Sequence, residues 1–495
     1  MRFWGLALIA GLISWCQLAS AQSWQPLLHQ PNFNASNTLL LTDGTVICQA
    51  SGSSLWFRLT PDAFGSYVNG TWTPIASLPP GYGPLYYASA VLPDGRVVIQ
   101  GGEYNLGGPQ VWTNEGAIYD PQANIWTPLP SPPGWTSVGD AQSIVLADGK
   151  FMLANALTQQ TALLDPVTLT YTPLLGSNKS DRNDEEGWTL LPDGTVLAVD
   201  AISAPNSERY FPSLDTWMSA GSTIVRLEDP VSQEIGPAVL RPDGTVFATG
   251  ACQSSQRVCV TPGHTAIYTP PTGLSVTGIW IAGPDFPDGL DVADGPAALL
   301  PNGNVLVAAS PGIFLSGTRF FEWDGTSLNE VPRTPRAPSE PSYVGRMLIL
   351  PTGQILYTDS SRDAEVYTPA GAANPSWVPT ITDVPLLVNP GSTYTISGTQ
   401  FNGLSQGAAY GDDAQSATNY PLVRITNRVT GHAFYCRTHD HSTMAVATGS
   451  APVSTSFDVP ALAESGISDL VVVANGIASQ PRVVVVGPAP GIPDN

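Results

Sequence analysis

Short apolar runs rich in Val, Leu and Ile recur along the chain on either side of a polar step: LLLTDGTVICQ, AVLPDGRVVIQGG, IVLADGKFMLAN, TLLPDGTVLAVD, AVLRPDGTVFATG, ALLPNGNVLVAA and LILPTGQILYTD. Each copy predicts a β-hairpin. Asp-Gly or Asn-Gly supplies the positive φ that a tight turn requires, and apolar flanks without alternation suit strands buried on both faces. The turn glycines are Gly44, Gly95, Gly149, Gly194, Gly244, Gly303 and Gly353, spaced by 45 to 59 residues.

Most copies are followed by a second signature, as in GAIYDPQANIWTPLP, RYFPSLDTWMSA, TAIYTPP and AEVYTPAG. An aromatic residue, a Pro-containing turn and then Trp predict a third strand, a turn and a fourth strand. Four strands in about 50 residues make a propeller blade, and the period is that of kelch repeats. The expected fold is therefore all-β, with a seven-bladed kelch-type β-propeller over residues 22–376. Beyond it the Asp-Gly phrase stops. VNPGSTYTISGTQFNG through SQPRVVVVGP alternates in short strands that fit an immunoglobulin-like β-sandwich over 377–488, with a tail at 489–495.

Composition agrees with this reading. In 495 residues there are 48 Gly and 47 Pro, while charged residues are 12% against a usual share of about 25%. An apolar content of 42%, with 13 Trp and 16 Tyr, excludes a disordered chain. The formal charge of −21 makes phosphate backbones and anionic membranes poor partners. Residues 1–21 read as a secretory signal: Arg2, an apolar segment from Phe3 to Trp15, and Ala19-Ser20-Ala21 before a cleavage near Ala21. The mature chain is expected to be soluble, monomeric, and secreted or periplasmic. Export permits disulfides; Cys252 and Cys259 enclose the short loop QSSQRV and are expected to pair, while Cys48 and Cys436 read as separate buried thiols.

In a propeller the residues just before each innermost strand crowd one mouth of the central channel. Seven to nine positions back from each turn stand Asn34, Tyr86 and Tyr87, Asp140, Glu185 and Glu186, Glu234, Asp294 and Tyr343. Four successive blades thus contribute a carboxylate at nearly one structural place. Such a ring can concentrate a cation such as calcium and accept hydrogen bonds from sugar hydroxyls, with Arg346 and the Tyr residues as planar partners. The same acids could instead bond exposed loop amides and bind nothing. In YCRTHDHSTMAVATG, His439 and His441 flank Asp440 on a strand and so face one side, as a metal edge or as structural histidines.

A leader, seven kelch-type repeats and a C-terminal sandwich together resemble the galactose oxidase and glyoxal oxidase group of secreted copper radical oxidases, whose last domain is an early-set sandwich. The resemblance implies copper at the propeller mouth, bound by two Tyr and two His. One Tyr is crosslinked to a Cys of the preceding blade, and one His arrives on a C-terminal loop threaded toward the axis. LYYASAVLPDG places the crosslinked Tyr at Tyr86. SYVGRMLILPTG places the axial pair at Tyr343 and Val344, where the second residue is not His. NFNASNTLLLTDG has Asn34 and Ala35, and no Cys, at the crosslink position. His439 or His441 would be the C-terminal ligand, so copper could draw on Tyr86, Tyr343 and one of these His, an incomplete set.

The sequence therefore points first to a secreted protein that binds a polar small molecule or carbohydrate at the propeller mouth, its oxidase activity lost. The alternatives are a divergent oxidoreductase of galactose or glyoxal oxidase type, a hydrolase using paired carboxylates, and a protein-interaction scaffold.

Overall fold

The structure, a computed structural model, describes residues 22–272, 276–411, 413 and 416–488. The expected signal segment and C-terminal tail lie outside the described residues. Seven four-stranded antiparallel units follow one another around an axis, and each opens with a short strand at its inner edge: Ala35–Leu40, Ala88–Val91, Ser143–Val145, Trp188–Leu190, Ala238–Leu240, Ala297–Leu299 and Arg346–Ile349. The first two strands of nearly every blade are buried throughout, which explains their unbroken apolar runs. The last blade takes its outer strand from the chain's beginning, with Ser23–Pro26 paired to Glu365–Thr368, so the ring is closed by hydrogen bonds between distant segments.

The repeated signatures have direct physical roles. Gly44 sits at φ 76° and donates its N–H to Leu41, while the Asp43 carboxylate accepts from the Thr45 N–H at 2.9 Å. Gly supplies the left-handed residue and Asp an acceptor for the exposed backbone. The second signature is an aromatic pair between the third and fourth strands of a blade: Tyr119 on Trp126 at 5.0 Å, Tyr210 on Trp217 at 5.3 Å and Tyr268 on Trp280 at 4.9 Å.

The C-terminal region forms one continuous sheet curled into two facing halves. The strand Ala433–His439 makes the corner: Ala433–Cys436 pairs with the strand Leu422–Asn427, and Arg437–His439 pairs with Val453–Asp458. Ile396 and Phe457 from one half meet Ile425, Leu470 and Val472 from the other in a separate apolar core. This sheet sits against the Asp-Gly turns of the blades. Thr438 donates to Thr42, Arg437 to the Asp94 carbonyl at 2.8 Å, and Met444 to the Ala147 carbonyl at 3.0 Å.

A segment between its strands leaves the sheet and enters the propeller. Ala408 and Ala409 pair with Ala298 and Ala297, adding a fifth strand to the inner edge of the sixth blade. On either side, Gln406 accepts from the Leu190 N–H at 2.8 Å and Ser416 donates to Thr38 at 3.0 Å. The described Gly, Ala and Ser residues on either side of Tyr410 are small enough to fit between the blades. Cys252 and Cys259 form the expected disulfide, with Cα atoms 5.5 Å apart, while Cys48 and Cys436 are buried free thiols.

Candidate functional site

At the end of the axis opposite the Asp-Gly turns lies a cavity of about 510 Å³ lined by Tyr86, Glu103, Tyr104, Asp140, Glu185, Glu234, Asp294, Phe314 and Tyr343, with Leu85 and glycines completing it. Six residues singled out by repeat spacing thus line a single cavity. At several of these positions the backbone enters the left-handed region: Tyr86 at φ 54°, Glu185 at 58° and Asp294 at 48°. Each such conformation costs an L-residue of order 1 kcal/mol. The turn is what aims these side chains across the axis.

The cavity has two chemically distinct walls. Tyr86 and Tyr104 meet edge-on at 6.2 Å, and Phe314 and Tyr343 edge-on at 5.0 Å, forming an aromatic side. Facing them are the carboxylates. Glu185, Glu234 and Asp294 come from three successive blades, and one oxygen of each lies within 4.8 Å of the others. Asp140 is 9% exposed and its Oδ1 has no hydrogen-bond partner. Burial pushes the Asp294 carboxyl up to about 7, and burial with the neighbouring Asp294 charge pushes Glu234 well above the usual carboxylate range. Asp140 is raised by burial and by Glu103.

Beneath the floor, the threaded segment supplies Tyr410 and Asp413. Tyr410 donates to the Tyr343 carbonyl at 2.7 Å, and its ring carries the Arg346 guanidinium at 3.7 Å. Arg346 lies 5.8 Å from the Tyr86 ring and donates to the carbonyls of Tyr343 and Gly345, both at 2.8 Å. It is buried below the cavity and does not line it. Gly187 and Gly411 allow the close approach of segment and blade, since a Cβ on Gly187 would stand 2.6 Å from the Gly411 carbonyl.

Three further expected residues have other surroundings. Tyr87 is buried and donates to Gln49 at 2.7 Å, joining the first two blades. Glu186, adjacent to Glu185, turns into the fourth blade. There Lys179 Nζ lies 2.7 Å from Asp181, 2.8 Å from Glu186 and 3.0 Å from Glu208, all buried. Burial disfavours the ammonium, but this ring of acids outweighs it and holds Lys179 charged. Asn34 is exposed and does not line the cavity.

The histidines require a correction. His439 ends a strand of the C-terminal sheet and His441 follows it, both on the Asp-Gly turn side, away from the mouth. His439 contacts Asp440 at 2.7 Å and Asp458 at 3.2 Å; His441 is buried beside Thr455 at 2.9 Å. The threaded loop is instead the segment around Tyr410, and it carries no His. The other three histidines bond Gly70, Asp285 and Glu464 in separate places. No His lines the cavity among the described residues. The two-Tyr, two-His copper set therefore does not fit the residues at this mouth: Val344 replaces one ligand and the threaded segment replaces the other.

Glu103, Tyr104, Phe314, Tyr410 and Asp413 were not anticipated. Glu103 and Tyr104 arise in the long insertion GGEYNLGGPQVWTNEG, whose length was the available signal. The threaded segment was detectable only as some twenty residues without strand alternation.

No family model matches the chain. A stretch of 134 residues is 32% identical to the Kelch-like protein terF of Aspergillus terreus, covering 26% of each chain, so the match spans about a quarter of that relative's length. Among solved structures, a fungal alcohol oxidase of the AA5 family, in complex with copper, superposes with a TM-score of 0.55 at 15% identity over 95% of this chain and 100% of that one. The chain has the galactose-oxidase-like kelch propeller fold. At that identity the likeness is one of fold.

Proposed function

We propose that this chain is a secreted binding protein whose propeller mouth takes a polar, hydroxyl-rich ligand of carbohydrate type, and that it does not perform copper radical oxidation. The observation that carries the reading is the two-sided cavity. An aromatic wall of Tyr86, Tyr104, Phe314 and Tyr343 suits the C–H face of a sugar ring, and the opposing carboxylates accept hydrogen bonds from its hydroxyls. A volume of about 510 Å³ falls among pockets that enclose small molecules, roughly 300–1,000 Å³. The Cys252–Cys259 bridge supports an oxidising compartment, and among the described residues no helix is long and apolar enough to cross a membrane.

Two-electron oxidation of an alcohol needs a redox group held at the mouth, and neither Val344 nor the threaded segment offers the imidazoles such a copper site uses. The test is calorimetric titration of neutral mono- and oligosaccharides into the full chain beside Tyr343→Ala. Binding by the wild type, weakened roughly three- to tenfold in the variant, is expected. No binding by any sugar would contradict the reading, and steady release of cleaved sugar would replace it with hydrolysis. Copper-loaded protein is expected to form no more hydrogen peroxide from primary alcohols or aldehydes than a protein-free blank.

A further inference from the structure

The carboxylates of the mouth form a set that one hard cation can span. Glu185, Glu234 and Asp294 bring an oxygen each to within 4.8 Å of the others, the separation available to two oxygens at opposite sides of a Ca²⁺ with bonds of about 2.4 Å. A cluster of acids alone would not identify a site. Asp140 is the independent observation: it lines the same cavity, is only 9% exposed, and its Oδ1 has no hydrogen-bond partner. Glu234 is 8% exposed and its Oε2 is likewise unpartnered. A carboxylate oxygen withdrawn from water without a partner, in a residue that lines a cavity, is costly unless something polar compensates it.

Elsewhere the chain sets a cation of its own among buried acids. Asp181, Glu186 and Glu208 surround the Lys179 ammonium at 2.7 to 3.0 Å. No Lys, Arg or His lines the mouth among the described residues, and Arg346 below the floor is engaged with backbone carbonyls and the Tyr410 ring. All the candidate donors are carboxylate oxygens, the ligand type that suits hard cations such as Ca²⁺.

We propose that Glu185, Glu234 and Asp294 hold one Ca²⁺ ion at the mouth, with Asp140 completing the cradle, and that its open positions take adjacent hydroxyls of the ligand. Four protein oxygens leave room, since Ca²⁺ accepts six to eight in flexible geometry, roughly two to four more. The hydroxyl contact rests on the binding function proposed above; the ion site does not.

Chelator-treated full-length protein is titrated with Ca²⁺ alone by calorimetry, beside Asp294→Asn and the Glu234→Gln/Asp294→Asn double variant. One ion per wild-type chain is expected, with at least about tenfold weaker binding in Asp294→Asn and none in the double variant, since each change removes a charged ligand. Absence of binding in the wild type, or equal affinity in a double variant with an unchanged circular dichroism spectrum, overturns the site. Terbium provides a readout that needs no variant, because Tyr86, Tyr104 and Tyr343 can sensitise its emission. Emission displaced by Ca²⁺ supports the site, and its absence overturns it.

The sugar panel separates the two claims. Sugar binding that persists in chelator overturns the hydroxyl bridge and leaves the binding function standing. Ca²⁺ binding without any sugar binding overturns that function and leaves the ion site standing.

Discussion

Glu185 and Glu186 are neighbours in sequence and belong to two clusters of opposite design. Glu186 enters the interior of the fourth blade, where Lys179 pairs with it and with Asp181 and Glu208. Glu185, its backbone turned to φ 58°, joins Glu234 and Asp294 at the mouth, where no basic side chain lines the cavity among the described residues. One cluster has a basic side chain of the fold at its centre, and the other lines an open cavity. The difference teaches that two adjacent acids can be turned to different ends, one toward a cation of the fold and the other toward a cavity.

The sharpest way to break the comparison is to remove the internal cation. Lys179→Met leaves several buried carboxylates around an apolar side chain and is expected to cost about 3–5 kcal/mol, as for other buried ion pairs deprived of one partner. Urea unfolding measures it, and a loss below about 1 kcal/mol would show that water, not Lys179, sustains that cluster.

A smaller effect is expected from pH. Asp200 donates nothing and accepts from Ser180 at 3.0 Å; burial pushes its carboxyl up to about 7, despite the pull of Lys179. A carboxyl raised in the folded state holds its proton there at pH values where the unfolded chain has released it. Its stabilising contribution is full below about pH 4 and is lost as pH rises toward 7. Asp200→Asn should remove that dependence, so the stability of the variant relative to wild type climbs across this window by up to about 1.4 kcal/mol per pH unit. Parallel curves for the two proteins would place the titration elsewhere.

The smallest effect belongs to the mouth. In chelator, Glu185→Gln should be as stable as wild type or more stable by up to about 1 kcal/mol, because it relieves repulsion among like charges without vacating space. A clear destabilisation in the same urea series would assign Glu185 a structural role like that of Glu186.

Much of this arrangement was legible before the fold was known, for reasons specific to repeats. Each innermost strand begins at a fixed distance from its Asp-Gly turn, so Asp140, Glu185, Glu234 and Asp294 could be aligned by counting. Direction could not be counted. Tyr87 and Glu186 each sit one residue beyond a cavity-lining neighbour, and consecutive side chains point apart, so one of each pair had to be turned inward. Lys179, in the polar stretch SNKSDRNDEEG, reads as an ordinary loop residue until tertiary contact places three acids around it. The threaded segment was hidden for a further reason: its residues are chosen for smallness in a channel, which leaves neither alternation nor helical period. Seeking its His among His439 and His441 matched residue type where topology decides.

The central claim is that the mouth carboxylates bind an external cation whereas those around Lys179 do not. Thermal melting of three full-length proteins, with and without Ca²⁺ and the best-binding sugar, tests it most directly. Wild type should melt higher as Ca²⁺ is added, by mass action on the folded state. Lys179→Met should melt lower throughout yet retain the Ca²⁺ response, and Glu234→Gln/Asp294→Asn should lose the response while keeping its unliganded melting temperature. No shift in wild type, or an equal shift in wild type and the double variant, would contradict the account.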